Sequence, residues 1–269
     1  MNLSNIPDVL LKIVDTKKVE VAALYEQVGL GKMKSLAENA DNSRSVSFRD
    51  ALAADGLSVI AEVKKASPSA GIIDPIFDYM SIARAYEAGG AAAISVLTDE
   101  DYFKGHLDYL KEIKADVNIP ILRKDFIIDP IQIYEAKAAG ADAFLLIAAI
   151  LTTEEIAEFY TLGKSLGLDV LTEVHDKEEL DKVLKTDCDI IGVNNRNLRN
   201  FTVDLTLTEQ LMEFIPKDKI IVGESGIKKP EDAQYLRKIG SDAVLCGETL
   251  VRRGIEKCGD EIAEFRLEG

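Results

Sequence analysis

The sequence predicts a closed (β/α)8 barrel, an α/β fold of the TIM type, with a helical extension at its N-terminus. From about residue 57 a short β-rich apolar run and an amphipathic segment alternate, and the pair repeats eight times. Alternation of this kind builds a parallel sheet, and eight such units in about 200 residues are enough to close it. The first apolar run lacks the GxGxxG turn that an open, doubly wound sheet normally carries. No Pro- or Ser-rich linker interrupts the repeat, so residues 1–269 read as a single barrel domain with 1–50 as its extension.

In chain order, PDVLLKIVDTKKVEVAALYEQVG has helical periodicity, and SVSFRDALAADG reads as a second, short helix capped by Ser47. Two placements are open for this extension, over the bottom of the barrel or at the rim of an active site. Strands are expected at 57–64, 91–97, 119–124, 142–147, 169–174, 189–194, 219–223 and 242–246. Between them lie helical patterns such as DYMSIARAYEAGG, HLDYLKEIKAD, DPIQIYEAKAAG and TTEEIAEFYTLGKSLG. Several begin with an Asp or Thr cap and end in Gly, the usual start and stop signals. AGGAA, AGADA, LGLDV and IGSDA each mark a helix end turning into the next strand.

Composition excludes several classes of partner. The formal charge of -15 (32 Lys+Arg against 47 Asp+Glu) repels polyanions, so neither nucleic acid nor an anionic membrane is expected. A small phosphate stays admissible, because a local nest of amides and lysines overrides the net field. Cys188, Cys246 and Cys258 form no CxxC pair and are too scattered for a disulfide framework, which fits a reducing cytoplasm. The N-terminal stretch does not read as a signal peptide, and the longest apolar run, AFLLIAAIL, is half a membrane span. A soluble cytoplasmic monomer acting on a small molecule is the expectation. No His/Cys/carboxylate spacing points to a metal.

Charged residues stand where the apolar runs end. Glu62 and Lys64 close LSVIAEVK, Lys124 closes IPILRK, Glu173 closes LDVLTE, Asn194 closes DIIGVN and Glu224 closes KIIVGE. A buried parallel strand should read as a nearly continuous apolar run. A charge at its end is costly unless it is paired, hydrogen-bonded or in use. Active sites of such barrels lie at the C-terminal strand ends, where all these residues fall. Glu62 and Lys64, two apart, face the same way. Lysines beside carboxylates in a partly dry pocket have shifted pKa values, which suits proton transfer. Separately, the loops after strands seven and eight read ESGI and CGETLVRR. These loops often bind phosphate, and Gly226 and Gly247 admit a close approach of backbone amides to an anion. Glu248 is expected to point its side chain outward while its amide donates. Ser67 and Ser69 of KKASPSAG are either further donors or part of a Pro-containing turn. His106 and His175 read as surface histidines, and Asp99, Glu100 and Asp101 as a solvated loop.

EVKKASPSAG, LTDEDYFKG, ILRKDFIID, TEVHD, IGVNNRNL, VGESGI and CGETLVRR, in this order, resemble the indole-3-glycerol phosphate synthase family from about Val59 to Arg253. A helical N-terminal extension is also typical of that family. The resemblance implies ring closure of 1-(2-carboxyphenylamino)-1-deoxyribulose 5-phosphate to indole-3-glycerol phosphate, with loss of CO2 and water. This lyase step belongs to tryptophan biosynthesis and needs no cofactor or metal. By motif match Lys124 is the general acid at the substrate carbonyl. Glu173, with Glu62 as partner, serves the dehydration proton transfers. Lys64 holds the substrate carboxylate, and the division of acid work between the two lysines stays open. Asn194 and Arg196 orient substrate, Arg196 toward the anthranilate carboxylate. Glu224 and Ser225 line the pocket, Ser67, Gly226, Gly247 and Glu248 cradle the phosphate, and Phe103 and Phe126 wall the anthranilate ring. Lys65 and Ala66 stand where Arg and Lys are common in the family, and Ala70 precedes Gly71, which bears on the mobility of the first loop.

Two alternatives differ in observable ways. Another phosphate-binding barrel enzyme, such as phosphoribosylanthranilate isomerase or a thiamine-phosphate synthase, is one. The isomerase would want a Cys/Asp pair, with the Cys where this chain has Glu62-Val63-Lys64. A barrel that only binds a sugar phosphate would bind without turnover and have no need of both lysines.

Overall fold

The structure, a computed structural model, describes residues 6–40 and 46–266. Residues 1–5 and 41–45, part of the expected extension, and 267–269 at the chain end lie outside the described residues. The barrel strands are β1 (Ser58–Val63), β2 (Ala93–Leu97), β3 (Ile121–Lys124), β4 (Ala143–Ile147), β5 (Asp169–Val174), β6 (Ile190–Asn194), β7 (Ile220–Glu224) and β8 (Ala243–Cys246). Each pairs in parallel with its neighbours in chain order, and β1 pairs with both β2 and β8, closing the barrel. The expected fold is the observed one.

Most strands start one or two residues later than expected, β5 starting where expected, and before β4 and β8 the turn residue has another use. Asp142 and Asp242, just before β4 and β8, turn their carboxylates onto the backbone N–H of Ile121 and Ile221 at 2.8 Å. An acceptor there satisfies a donor at the barrel floor that the ladder leaves open. The helices preceding these turns end on Gly140 and Gly240, at φ 94° and 110°, a conformation that glycine adopts without steric cost.

The helices are α1 (Asp8–Gln27), α2 (Leu30–Glu38), α3 (Phe48–Leu52), α4 (Tyr79–Ala88), α5 (Leu107–Asp116), α6 (Pro130–Ala139), α7 (Thr153–Ser165), α8 (Lys177–Val183), α9 (Thr206–Met212), α10 (Pro230–Ile239), α11 (Glu248–Arg253) and α12 (Ile255–Phe265). Start signals act as expected. Asp129 and Thr152 form capping boxes with Gln132 and Glu155, and the side chain of Asp78 accepts the Ser81 N–H. A two-residue antiparallel ladder, Ala66–Ser67 with Gly71–Ile72, stands in the loop after β1. Among the described residues no helix is long and apolar enough to cross a membrane.

The two placements considered for the N-terminal helices are both occupied. The short helix α3, capped by Ser47, closes the bottom, where the Arg49 N–H donates to Asp169 at the start of β5 (2.9 Å). The Arg49 side chain also reaches Asp189, just before β6 (3.0 Å). The long helix α1 lies at the opposite mouth. Its Leu10 and Ile13 are buried, and Lys17, 1% exposed, reaches Asp99 after β2 and Asp125 after β3, each at 3.0 Å. Burial alone would expel a lysine, but these carboxylates and Glu20 outweigh it and hold the ammonium strongly charged.

Candidate active site

Side chains alternate across a strand, so the interior face of this barrel is set by residues two apart. Toward the C-terminal ends that face presents Glu62 and Lys64 from β1 and the residue after it, Lys124 from β3, Glu173 from β5, Asn194 from β6 and Glu224 from β7. All six line one cavity of about 820 Å³, together with Leu97, Leu145, Ile147 and Leu245 from the other strands. The strand register sets Asn194 level with Glu224, and Glu173 level with Gly192.

At the centre the Lys124 ammonium lies 3.2 Å from Glu173 Oε2 and 3.4 Å from Glu224 Oε2. Beside it Lys64 pairs with Glu62 at 2.5 Å, and the Asn194 amide donates to Glu173 Oε1 at 3.1 Å. Burial would discharge Lys124, but Glu173, Glu224 and Glu62 reverse that and raise its pKa well above the lysine range. Burial likewise works against ionised Glu173; Lys124, His175 and Asn194 outweigh it and hold the carboxylate well below its ordinary range. For Glu224 the balance falls the other way. Burial, Glu173 and Glu62 raise its pKa despite Lys124. Two carboxyls on one lysine are thus driven apart, one firmly ionised and one inclined to hold a proton, the pattern that separates acid from base within a site.

Two glycines make room for these groups. A Cβ on Gly192 would stand 2.1 Å from Glu224 Oε1, and one on Gly247 would stand 2.4 Å from Glu62 Oε2. Gly247 therefore matters for a carboxylate as well as for the approach of an anion.

At one end of the cavity Ser225 and Gly226 adopt φ 64° and 88°, a sharp left-handed bend that Gly226 accommodates and Ser225 adopts with strain. Thr249 donates to the Ile227 carbonyl at 2.7 Å, tying this loop to the one that follows β8. The Glu248 carboxylate accepts from Arg252, one turn further along α11, at 2.9 Å. Ser67, Lys228, Arg252 and Arg253 line the same cavity, so its rim is cationic although the chain is acidic. Elsewhere on its wall Phe103 and Phe126 lie 6.0 Å apart, inclined by 37°. Arg196 enters from the loop after β6, its N–H bonded to the Asn194 side chain at 3.1 Å. Its guanidinium has no ion-pair partner among the described residues.

Every site residue expected from the sequence lines this cavity. The expectation for His175 is corrected. The ring is only 13% exposed and stands between Glu173 and Glu179, because the turn into α8 folds Glu179 back over it. His106 does open a helix, accepting the Asp108 N–H. Asp99 is corrected too. It is buried on Lys17 and accepts the N–H groups of Tyr102 and Phe103, while Glu100 and Asp101 are exposed. Missed altogether were Lys17, Gly192 and the Arg123–Asp125 pair (3.3 Å) beneath Lys124. Asp125 was visible in RKDF; Lys17 carried no signal, since its partners are remote in sequence.

Paired acids and bases on a lysine, at the C-terminal mouth of a (β/α)8 barrel, define the class of protein: a barrel enzyme working by proton transfer. The sequence model of the indole-3-glycerol phosphate synthase family matches residues 10–259, and the chain belongs to that family. It is 47% identical over 260 residues to the indole-3-glycerol phosphate synthase of Thermoanaerobacter pseudethanolicus, covering 96% of this chain and 98% of that one. The protein of the same name from Leuconostoc mesenteroides is 48% identical over 246 residues, covering 91% and 92%. Among solved structures, one chain from a structure of the tryptophan synthase complex of Pyrococcus furiosus aligns with a TM-score of 0.57 at 17% identity, over 78% of this chain and 98% of that one. At that identity the likeness is one of fold alone.

Proposed function

We propose that the chain catalyses the decarboxylating, dehydrating ring closure of 1-(2-carboxyphenylamino)-1-deoxyribulose 5-phosphate to indole-3-glycerol phosphate. The observation that carries this reading is the Lys124 ammonium between Glu173 and Glu224 on the floor of a cavity with an aromatic wall and a cationic rim. Attack of the anthranilate ring carbon on the substrate carbonyl forms the new C–C bond and puts negative charge on the carbonyl oxygen. A firmly protonated lysine supplies the proton that this oxygen takes up. Loss of CO2 restores the electron pair to the ring system. Departure of the hydroxyl as water then needs a proton delivered to it and another removed from the adduct. Glu173, ionised, suits the removal, with Glu62 as partner, and Lys64, paired with Glu62, is placed to share the acid work.

The Arg196 guanidinium, without an ion-pair partner among the described residues, can meet the anthranilate carboxylate, and Asn194 holds Glu173 in place. Glu224 and Ser225 line the pocket. Phe103 and Phe126 receive the ring, while Ser67 and the main chain of Gly226, Gly247 and Glu248 receive the phosphate, whose remote binding energy positions the reacting end. No cofactor enters this scheme. We read the protein as a cytoplasmic monomer; its buried free thiols at Cys188, Cys246 and Cys258 accord with a reducing compartment.

The test is direct. Incubating the protein with the anthranilate-derived substrate should produce indole fluorescence as the ring closes. Silence from the folded wild type would overturn the synthase reading, and tight binding without turnover would favour a sugar-phosphate-binding barrel.

A further inference from the structure

The scheme above leaves His175 without a part, although it touches Glu173 directly. It follows β5 immediately, two residues beyond Glu173, so the two side chains leave the strand on the same face. Its Nε2 lies 3.1 Å from Glu173 Oε1 and its Nδ1 lies 3.1 Å from Glu179 Oε2 on α8. The same Glu179 oxygen accepts the backbone N–H of His175 at 2.8 Å, so one carboxylate grips both the main chain and the ring. We infer that His175 is a positioning residue, bridging Glu173 to Glu179 and so fixing which oxygen of Glu173 faces the substrate.

The division of the Glu173 oxygens carries the argument. Oε1 is shared by His175 and the Asn194 amide, while Oε2 is left to Lys124 and the cavity. The Nε2 contact is an ion pair rather than an aligned hydrogen bond, so its hold on Glu173 is electrostatic. Charges alternate along the line Glu179, His175, Glu173, Lys124. His175 also borders a second cavity of about 430 Å³, whose lining includes Asp176, Glu179, Arg196, Arg199 and Asp204. Burial opposes a charge on the ring, but Glu173 and Glu179 outweigh it and raise its pKa to about 10, so the bridge is a cation at neutral pH. Replacing the cation by a neutral group leaves Glu173 ionised by Lys124 and Asn194 alone, and less firmly oriented.

The kinetic part of the test rests on the ring-closure reading; the spectroscopic part does not. The chain has two histidines, so imidazole nitrogen spectra of the 15N-labelled protein contain two rings, assigned with His106→Gln. At pH 8 both nitrogens of His175 should be protonated, and Glu179→Gln should lower its titration midpoint by about one unit or more. A neutral His175 ring at pH 8 overturns the inference whether or not the enzyme turns over. In His175→Gln, kcat should fall about ten- to a hundredfold with KM within about threefold. The acidic limb of its pH profile should move up by about one unit. A His175→Gln protein that loses stability but keeps the wild-type kcat and acidic limb marks a merely structural histidine and overturns the inference. If that variant does not fold, the Glu179→Gln titration decides. A wild type that produces no indole fluorescence counts against the reaction, and the nitrogen spectra still decide the histidine.

Discussion

The ammonium of Lys17, on the first helix, lies 3.0 Å from the carboxylate of Asp125, the residue that follows Lys124. The same ammonium meets Asp99 at 3.0 Å, so α1 is fastened to the ends of β2 and β3 beside the reacting lysine. Removing one partner of a buried ion pair leaves the other charge desolvated, at a cost typically of about 3–5 kcal/mol. Asp125 keeps Arg123 and the Thr98 hydroxyl, which places Lys17→Met at the lower end, about 3 kcal/mol. Urea unfolding should show a lowered midpoint, and Asp99→Asn in the same chain should return part of it. An unchanged midpoint in Lys17→Met would show that the latch contributes nothing.

Lys124→Ala should lower kcat by about a thousandfold, within the range removed with a general acid. The phosphate end of the cavity lies on loops after β7 and β8 and does not involve this side chain, so product should still bind within a few-fold of wild type, measured by fluorescence titration. Lys64→Ala provides the comparison. A change mainly in KM would assign Lys64 to holding the substrate, and one mainly in kcat would give it a share of the acid work. Near-normal turnover in Lys124→Ala would sink its assignment.

Gly192→Ala should injure activity more than folding. The methyl would stand 2.1 Å from the Glu224 carboxylate oxygen and 3.2 Å from Leu171, so the flexible end of Glu224 gives way before the backbone does. Misplacing a group beside Lys124 by about 1 Å costs up to about a hundredfold in rate. The overpacking itself costs about 1–3 kcal/mol. A drop of at least tenfold in kcat with a cooperative unfolding transition is the expected result, read by steady-state kinetics and thermal melting of the same sample.

These three residues show what the sequence makes legible and what it hides. Strands buried on both faces leave apolar runs no other reading, and a charge at the end of such a run must be used, so Lys124, Glu173 and Glu224 stand out singly and together. Their shared face follows from a period of two. Lys17 lies in DTKKVE, a stretch whose charges read as a solvated helix face, because its partners are at positions 99 and 125. His175 resembles a surface histidine for a different reason: Glu173 and Glu179 are near in sequence, but nothing there shows that the turn into α8 folds Glu179 back on the ring. Gly192 reads only as one more small residue in an apolar strand until Glu224 is seen to fill the space its missing Cβ leaves.

Arg196→Ala should raise KM about ten- to a hundredfold with a smaller change in kcat, because a charge-assisted bond to a substrate carboxylate contributes about 1.5–3 kcal/mol of binding. The guanidinium has no ion-pair partner among the described residues, so its removal leaves no buried charge behind and stability should stay within about 0.5 kcal/mol. A substrate analogue lacking the anthranilate carboxylate should show little difference between wild type and variant. Equal losses with both compounds would place Arg196 elsewhere on the substrate.

The bridge formed by His175 also makes a prediction about stability. Its folded pKa, raised to about 10, exceeds the value of about 6.5 in an unfolded chain. The stabilisation it brings is therefore complete below pH 6.5 and is lost as pH rises toward 10. Between pH 6.5 and 8 this single proton adds a slope of up to about 1.4 kcal/mol per pH unit. Buried Glu224, with its own raised pKa, adds a slope of the same sign, and above about pH 8 the cysteines of the unfolded chain begin to ionise as well. Comparing wild type with His175→Gln below pH 8 removes those shared contributions. Denaturant unfolding at pH 6.5, 7.25 and 8 should show wild type losing stability more steeply than the variant, and parallel curves would mean that the ring carries no charge in the folded protein.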